Sequence, residues 1–215
     1  MRADEKSTFL NMIDKYIEHI KETNNKSILA RIYGIFSIKT KLFSPVDIII
    51  MQNTSKQFDK KGLKYKFDLK GSLYNRYSFY HLGRMNTYLE KLNIQRADPF
   101  KYKDRVHLAS RKDRAKGLPL YNGVLKDINF IELNNCHQHH KLNLLNLNPL
   151  DNEYLLGILE KDSQFLKENG LLDYSLYLVI ELAPTAIDRN KDYGRNILLS
   201  NDCDEVYHIA LIDYL

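Results

Sequence analysis

Apolar residues recur at helical spacing in two segments of the chain. Over residues 7–22 they occupy one side of a predicted amphipathic helix, with charged residues on the other side, and comprise Phe9, Ile13, Tyr16, Ile17 and Ile20. Over residues 152–169 the apolar face comprises Tyr154, Leu155, Ile158, Leu159, Phe165 and Leu166. Asn169 and Gly170 follow directly and are typical of a helix end. The pattern therefore predicts two amphipathic helices.

Other segments are rich in β-branched and aromatic residues, which favour strands. Residues 32–38 and 46–51 predict two strands that pair as an antiparallel hairpin, with Pro45 in the connection. Further strands are predicted at 64–69, 171–181 and 206–212, and the polar residues 182–205 are predicted to be a connector. The most polar stretch, 73–117, is predicted to be surface loop and short helix. We expect an α+β fold built on an antiparallel sheet.

Two aspartates stand in apolar surroundings near predicted strand ends. Asp173 follows Leu171 and Leu172, and Asp213 follows the run 209–212. A carboxylate among apolar side chains is costly to bury unless a partner compensates it. The pattern is consistent with two carboxylates brought to one cleft, but spacing alone favours a helix-cap or turn aspartate at 173 and a strand-end aspartate at 213.

A lysine next to glycine adds a third element to this chemistry. Lys70 precedes Gly71 and Ser72, where the missing side chain of glycine lets the backbone approach a phosphate closely. A cation, a metal-binding carboxylate and a carboxylate that orients the attacking hydroxyl form the minimal set for phosphoryl transfer. A further charged pair, Lys126 and Asp127, is predicted to be an ordinary ion pair at a surface turn.

The composition is that of a globular protein with a mild positive charge. Of 215 residues, 44% are hydrophobic and 27% are charged, and 32 Lys and Arg against 27 Asp and Glu give a net charge of +5. This balance permits an anionic partner without requiring one. The N-terminus is charged and lacks a secretory apolar core, and no apolar run approaches the ~20 residues of a membrane span. We therefore expect a soluble protein, at most peripheral to a membrane.

The cysteines and histidines give weaker signals. Two cysteines are too few for a disulfide scaffold, and a reducing compartment is the simpler assumption. One loop combines a cysteine with three histidines, namely Cys136, His137, His139 and His140. Because no second cluster has the paired spacing of zinc sites, a solvated loop is the favoured interpretation.

Four motifs in chain order resemble the phosphatidylinositol phosphate kinase family, in particular its phosphatidylinositol-4-phosphate 5-kinase-like members. Residues 68–72 reproduce the family's Asp-Leu-Lys-Gly-Ser signature, and residues 125–130 resemble its Leu-Lys-Asp-x-Asp-Phe segment with Asn129 in place of aspartate. Residues 172–176 are similar to Met-Asp-Tyr-Ser-Leu, with Leu172 for methionine, and residues 211–213 to Ile-Ile-Asp. Several ordered motifs are far more specific than a single glycine pattern.

This resemblance implies a protein-kinase-like, two-lobed fold that is incomplete at both ends. Residues 1–72 would be the remnant of the N-terminal lobe and 73–215 most of the C-terminal lobe. By resemblance, Asp173 is the catalytic-loop carboxylate and Asp213 the Mg²⁺ ligand, whereas Lys70, Gly71 and Ser72 hold ATP.

The same resemblance implies a substrate and a location. The chain would transfer the γ-phosphate of ATP to an inositol hydroxyl of a phosphoinositide lipid, as a cytoplasmic protein peripheral to a membrane. Basic residues in 73–117 would meet the anionic leaflet. The sequence carries no indication of an oligomeric state.

Two alternatives belong to other functional classes. The family's glycine-rich strand pair and the following strand lysine have no counterpart upstream of the first helix, and no Gly-x-Gly spacing occurs in the chain. A catalytically inactive relative that binds lipids or partners is therefore the main alternative. A nucleic-acid binder would rest only on the +5 charge and the 15 tyrosines, and we expect no nucleic-acid partner.

Overall fold

A computed structural model describes residues 3–42, 44–54, 62–74, 76, 124–131, 134, 144–184, 187–188 and 193–214. In chain order its elements are α1 (Ala3–Glu22), β1 (Ile32–Ile38), β2 (Val46–Met51), β3 (Leu63–Leu69), α2 (Pro149–Glu168), β4 (Ser175–Leu182), β5 (Ile197–Leu199) and β6 (Glu205–Ile212). The mixture of helices and antiparallel sheets confirms the α+β class. Neither helix of this described part of the chain has the length and hydrophobicity that crossing a bilayer requires.

Strands β1 and β2 form the predicted antiparallel hairpin with the predicted bounds. Phe36 faces Ile48 across the hairpin, and Ile35 faces Ile49. Because successive side chains alternate between the faces of a strand, these two pairs lie on opposite faces. Ile35 packs against the core, whereas Phe36 and Ile48 are exposed.

A four-stranded antiparallel sheet in the order β3-β4-β6-β5 forms the centre of the fold. Leu69 of β3 lies opposite Leu176 of β4, and Ser175 of β4 lies opposite Ile212 of β6. The last residues of β3, the first of β4 and the last of β6 therefore meet at one end of the sheet.

Two sequence predictions about this sheet were wrong. The strand predicted from residue 171 begins only at Ser175, because Gly170 and Asp173 adopt positive φ angles of 68° and 67°, which an extended strand cannot accommodate. The predicted connector 182–205 contains the short edge strand β5, which pairs with β6.

Helix α2 starts and ends at recognisable capping residues. The Asn148 side chain accepts the backbone N–H of Asp151 at 2.9 Å, and Pro149 occupies the first turn, where its missing N–H is not needed. The helix therefore begins three residues before the predicted residue 152. Its predicted end is confirmed, since the chain leaves the helix at Asn169 and Gly170 has a positive φ.

A buried polar contact joins the two helices. His19 Nε2 of α1 lies 2.6 Å from Asp162 Oδ1 of α2, and Asp162 Oδ2 accepts the Ile28 N–H at 2.7 Å. The His19 ring stacks on Phe165 with centroids 4.4 Å apart. Asp162 is fully buried, which its two partners make possible. The predicted apolar face of α1 was wrong at Ile17, which is 44% exposed, while His19 is buried instead.

The hydrophobic core lies between the four-stranded sheet and the two helices. It is also closed by the segment after α1, where Leu29 pairs in parallel with Leu211 of β6. Its largest fully buried apolar side chains are Tyr207, Tyr214, Phe67, Ile28, Leu29, Leu166, Leu178, Ile180 and Leu211.

Candidate active site

The three charged residues predicted to form the site follow or precede strands at the same end of the sheet. Lys70 directly follows β3, Asp173 precedes β4 by two residues, and Asp213 directly follows β6. Since β4 lies between β3 and β6 and runs antiparallel to both, its start adjoins the ends of its two neighbours. The strand order thereby brings Lys70 to the same sheet end as two aspartates that lie more than one hundred positions later in the sequence.

Lys70 and Asp173 are in direct contact. Lys70 Nζ donates to Asp173 Oδ1 and to the Asp173 carbonyl oxygen, both at 2.5 Å. The Asp173 side chain is nevertheless 86% exposed, and the Lys70 side chain is 24% exposed. Water screens an ion pair of this kind, so it adds little to stability. The contact orients the lysine and leaves the outer part of the carboxylate accessible to a ligand.

Left-handed backbone conformations carry the chain away from the sheet at all three positions. Asp173 has φ 67°, Asp213 has φ 58° and Gly71 has φ 67°. Glycine adopts this conformation without steric penalty, and aspartate tolerates it better than most residues do. Asp173 is thus a turn residue in front of β4, as the turn interpretation of the sequence expected, and it lies outside the strand that was predicted to start at residue 171.

The carboxylate of Asp213 is open. Its residue is exposed, and its side chain makes no hydrogen bond or ion pair with any residue that the structure describes. Ser72 is also exposed, and its Oγ accepts the N–H of Tyr74 at 3.4 Å. The same end of the sheet therefore presents an open carboxylate after β6 and, on the other side of β4, a lysine and a glycine turn after β3.

Asp127 holds the lysine–glycine turn in place. Its Oδ1 accepts the backbone N–H of Lys70 at 3.0 Å and that of Gly71 at 2.8 Å. Its Oδ2 accepts from Arg76 Nε at 2.7 Å, and the Asp127 side chain is only 8% exposed. Charge-assisted bonds to a buried carboxylate are among the stronger hydrogen bonds in proteins. The backbone on both sides of the Lys70 peptide is thereby fixed.

Arg76 extends this contact to β3. Its Nη2 donates to the Asp68 carbonyl oxygen and, at 3.0 Å, to Asp68 Oδ1. Burial alone would lower the pKa of Arg76, but the hydrogen bonds from its guanidinium to Asp127 and Asp68 outweigh burial and raise that pKa. The guanidinium therefore stays charged, as the two aspartates require.

Asp127 and Arg76 were not predicted from the sequence to be parts of the site. Asp127 was expected at an ordinary surface turn, whereas Leu125 pairs with Phe67 of β3 and brings Asp127 against the Lys70–Gly71 turn. The available signal was the family-like segment 125–130, in which Asp127 occupies a motif position.

Two groups of residues discussed above lie outside the described part of the chain. Of the basic stretch 73–117, only residues 73, 74 and 76 are described. The cysteine–histidine loop, with Cys136, His137, His139 and His140, is not described. Both interpretations therefore stay predictions.

The chemistry at this sheet end is suited to an anionic ligand bound together with a divalent cation. Carboxylate oxygens are the ligands that hard cations such as Mg²⁺ prefer, and an ammonium group complements phosphate charge. An α+β domain with a lysine and two exposed aspartates at one sheet end thus has the types of charged group that binding a phosphorylated compound requires.

Comparison with known proteins gives the family. The model of the family described as phosphatidylinositol-4-phosphate 5-kinase matches residues 1–197. A phosphatidylinositol 4-phosphate 5-kinase of Plasmodium falciparum is 31% identical over 170 residues, which are 77% of this chain and 7% of that protein. A probable phosphatidylinositol phosphate kinase of Dictyostelium discoideum is 29% identical over 155 residues, which are 72% of this chain and 18% of that protein.

The chain belongs to the phosphatidylinositol-4-phosphate 5-kinase family. The match covers all but the last 18 of its 215 residues. The chain spans less than a fifth of the length of either curated relative.

Proposed function

We propose that this chain contains the phosphoryl-transfer site of a phosphatidylinositol phosphate kinase. The reaction would move the γ-phosphate of ATP to an inositol hydroxyl of a phosphoinositide lipid. The observation that carries the proposal is the contact of Lys70 Nζ with Asp173 at the sheet end that also holds Asp213. Family membership supports the kind of reaction.

Each charged residue has one role in this proposal. Asp173 orients the attacking hydroxyl and accepts its proton, and Lys70 faces the nucleotide phosphates. Gly71 and Ser72 let the backbone pass close to those phosphates. Asp213 would hold Mg²⁺, which fits a site of exposed carboxylate oxygens. When bound, Mg²⁺ supplies positive charge that stabilises the transferred phosphoryl group.

We infer a two-lobed, kinase-like arrangement around this site. In it, α1 and the β1–β2 hairpin represent the smaller N-terminal lobe, and the four-stranded sheet with α2 represents the larger lobe. The boundary at residue 72 stays a prediction; because β3 shares its sheet with β4 and β6, we propose the segment between β2 and β3 as an alternative boundary. A cytoplasmic protein peripheral to the membrane remains our expectation for its location.

Metal-dependent nucleotide binding tests the proposal most directly. Wild-type protein should bind ATP more tightly with Mg²⁺ than without it, as measured by isothermal titration calorimetry. Asp213→Asn should remove this Mg²⁺ dependence, because the amide has lost the charge that attracts the cation. The matched control is Asp14→Asn, since Asp14 is exposed on α1 and outside the site.

Lipid phosphorylation separates the catalytic role from the binding role. With phosphatidylinositol 4-phosphate as acceptor, Asp173→Asn should lower the rate by roughly 10²–10⁴-fold and leave ATP affinity within about threefold of wild type. A wild-type protein without Mg²⁺-dependent ATP affinity would refute the proposal.

The main alternative is a non-catalytic module that binds lipids or partners. Such a module should bind phosphoinositide vesicles with the same affinity whether or not Mg²⁺ and ATP are present. In that case Asp173→Asn and Asp213→Asn would leave its only measurable binding activity unchanged.

A further inference from the structure

The outer face of the β1–β2 hairpin, formed by Phe36, Ile38, Val46, Ile48 and Ile50, is apolar and exposed. These five side chains lie on one face of the hairpin by their register, and their exposed fractions range from 36% to 51%. Gly34 lies on the same face, where an added Cβ would be only 2.9 Å from Cε2 of the Phe36 ring. A contiguous exposed apolar surface of this kind marks an interaction site.

The inner face of the hairpin has a different character. Ile35 packs against the core, and Asp47 is bonded to Lys6 of α1 at 2.7 Å and to Ser37. These contacts lower the pKa of Asp47, with the Lys6 hydrogen bond as the largest cause. Asp47 is the single acidic residue in the sequence from 32 to 51. The outer face therefore carries no negative charge.

Positive and apolar residues extend this face at the hairpin turn. Lys39 and Lys41 are exposed, and Leu42 is 92% exposed. An acid-free apolar surface with a cationic rim is complementary to an anionic lipid bilayer, in which basic residues meet the headgroups and apolar residues enter the interface. A second copy of the chain would bring the same lysines to the contact without any acidic residue of the face to compensate them.

The direction of the chain places the hairpin on the side of the candidate site. Leu29 pairs in parallel with Leu211, so the chain runs there in the direction of β6, towards Asp213. It then enters β1 at Ile32, three residues after Leu29. The hairpin therefore leaves the four-stranded sheet at the end that holds the three charged site residues.

We propose that the outer face of the β1–β2 hairpin docks on an anionic membrane. This proposal builds on the proposed function, because a kinase for a lipid headgroup must work at a bilayer surface. The hairpin would contribute affinity for the bilayer itself, independent of the phosphoinositide that enters the site.

Vesicles that contain no phosphoinositide separate this docking from substrate binding. The full chain is sedimented with vesicles of phosphatidylcholine alone and of phosphatidylcholine mixed with phosphatidylserine. Wild-type protein should bind the mixed vesicles and show little binding to the neutral ones. Lys39→Glu with Lys41→Glu should weaken binding at least roughly 20-fold, at about fivefold per charge removed.

Apolar and charge controls make the test specific. Phe36→Ser with Ile48→Thr should weaken vesicle binding by about tenfold or more, because less apolar surface enters the interface. Leu156→Ser, at a 58% exposed position on α2, and the pair Lys161→Glu with Lys167→Glu should bind like wild type. Circular dichroism at matched temperature establishes that every variant is folded.

Three results would overturn the proposal. The first is no binding of wild type to mixed vesicles, and the second is equal binding by the hairpin and the α2 variants. The third is a wild-type dimer in sedimentation velocity that Phe36→Ser with Ile48→Thr converts to monomer while vesicle binding stays unchanged. Because Asp173→Asn should bind these vesicles like wild type, failure of lipid phosphorylation and failure of docking remain distinguishable.

Discussion

Replacing Asp127 by asparagine removes one charge from the contact that fixes the Lys70–Gly71 turn. The amide oxygen of asparagine can still accept the two backbone N–H groups that now reach Oδ1. The other oxygen becomes an NH₂ group, which faces the donor Nε of Arg76 across the present 2.7 Å contact. The substitution thus removes the ion pair selectively and keeps the shape of the side chain.

The size of the effect follows from burial on both sides of this pair. The side chains of Asp127 and Arg76 are 8% and 11% exposed, so solvent compensates little for the lost bond. A hydrogen bond to a charged group contributes about 1.5–3 kcal/mol, and breaking a fully buried ion pair costs about 3–5 kcal/mol. Because Asp68 still pairs with Arg76, we expect Asp127→Asn to lower the free energy of unfolding by about 2–3 kcal/mol.

Urea unfolding followed by circular dichroism measures this change. With a denaturant slope of about 1–3 kcal/mol per molar, the midpoint should fall by roughly 0.7–3 M. Asp14→Asn on the exposed side of α1 is the control and should stay within about 0.5 kcal/mol of wild type. A double-mutant cycle with Arg76→Met should give a coupling of at least about 1 kcal/mol. An Asp127→Asn midpoint equal to that of Asp14→Asn, or a coupling near zero, would refute this reasoning.

Three further predictions concern buried polar groups, each measured by urea unfolding. Asp162→Ala leaves His19 and a backbone N–H without their buried partner and should lower the free energy of unfolding by about 3 kcal/mol, whereas an unchanged midpoint would contradict the helix contact. Burial raises the pKa of Tyr207 and Tyr214 above the ordinary value of 10.0. The stability that each tyrosine contributes is therefore complete below pH 10 and is lost as the pH rises further. The free energy of unfolding should fall by about 1.4 kcal/mol per pH unit for each of the two tyrosines. Tyr207→Phe should reduce the slope of the unfolding free energy against pH above pH 10 by the contribution of one tyrosine. An unchanged slope would speak against a raised pKa of Tyr207. The buried Ser175 hydroxyl has no hydrogen-bond partner among the residues that the structure describes. Ser175→Ala should therefore leave the free energy of unfolding unchanged or raise it, and a loss above about 1 kcal/mol would contradict this expectation.

Local patterns sufficed for elements whose ends are marked by the residues themselves. The hairpin strands 32–38 and 46–51 agree with the prediction because both are rich in β-branched or aromatic residues, and α2 ends as predicted at Asn169 because glycine follows. Strand β5 was missed because three residues are too few to show an alternating pattern. The start of β4 was misplaced because residues 171 and 172 are apolar, as strand residues often are. They lie in a turn between Gly170 and Asp173, and the positive φ angles of those two residues cannot be read from the sequence pattern.

Contacts over long sequence separations limited the prediction of the polar residues. Asp162 is buried in a helix face that looked apolar, and its partners His19 and Ile28 are 143 and 134 residues away. No periodicity within one segment reports such a contact. Asp127 presents the same problem, because its burial depends on Arg76, 51 residues earlier.

The aspartates of the candidate site differ in how their lone pairs are used, and this difference bears on function. Asp127 is buried, and three N–H donors occupy its oxygens. Asp173 is exposed and shares one oxygen with Lys70, and Asp213 is exposed and unbonded within the described chain. A carboxylate whose acceptor sites are filled by the protein can position neighbours but has little capacity to bind a cation or accept a proton. The open carboxylates of Asp173 and Asp213 are therefore the ones able to act on a ligand. The buried carboxylate of Asp127 instead fixes the backbone at Lys70 and Gly71 and so positions the lysine.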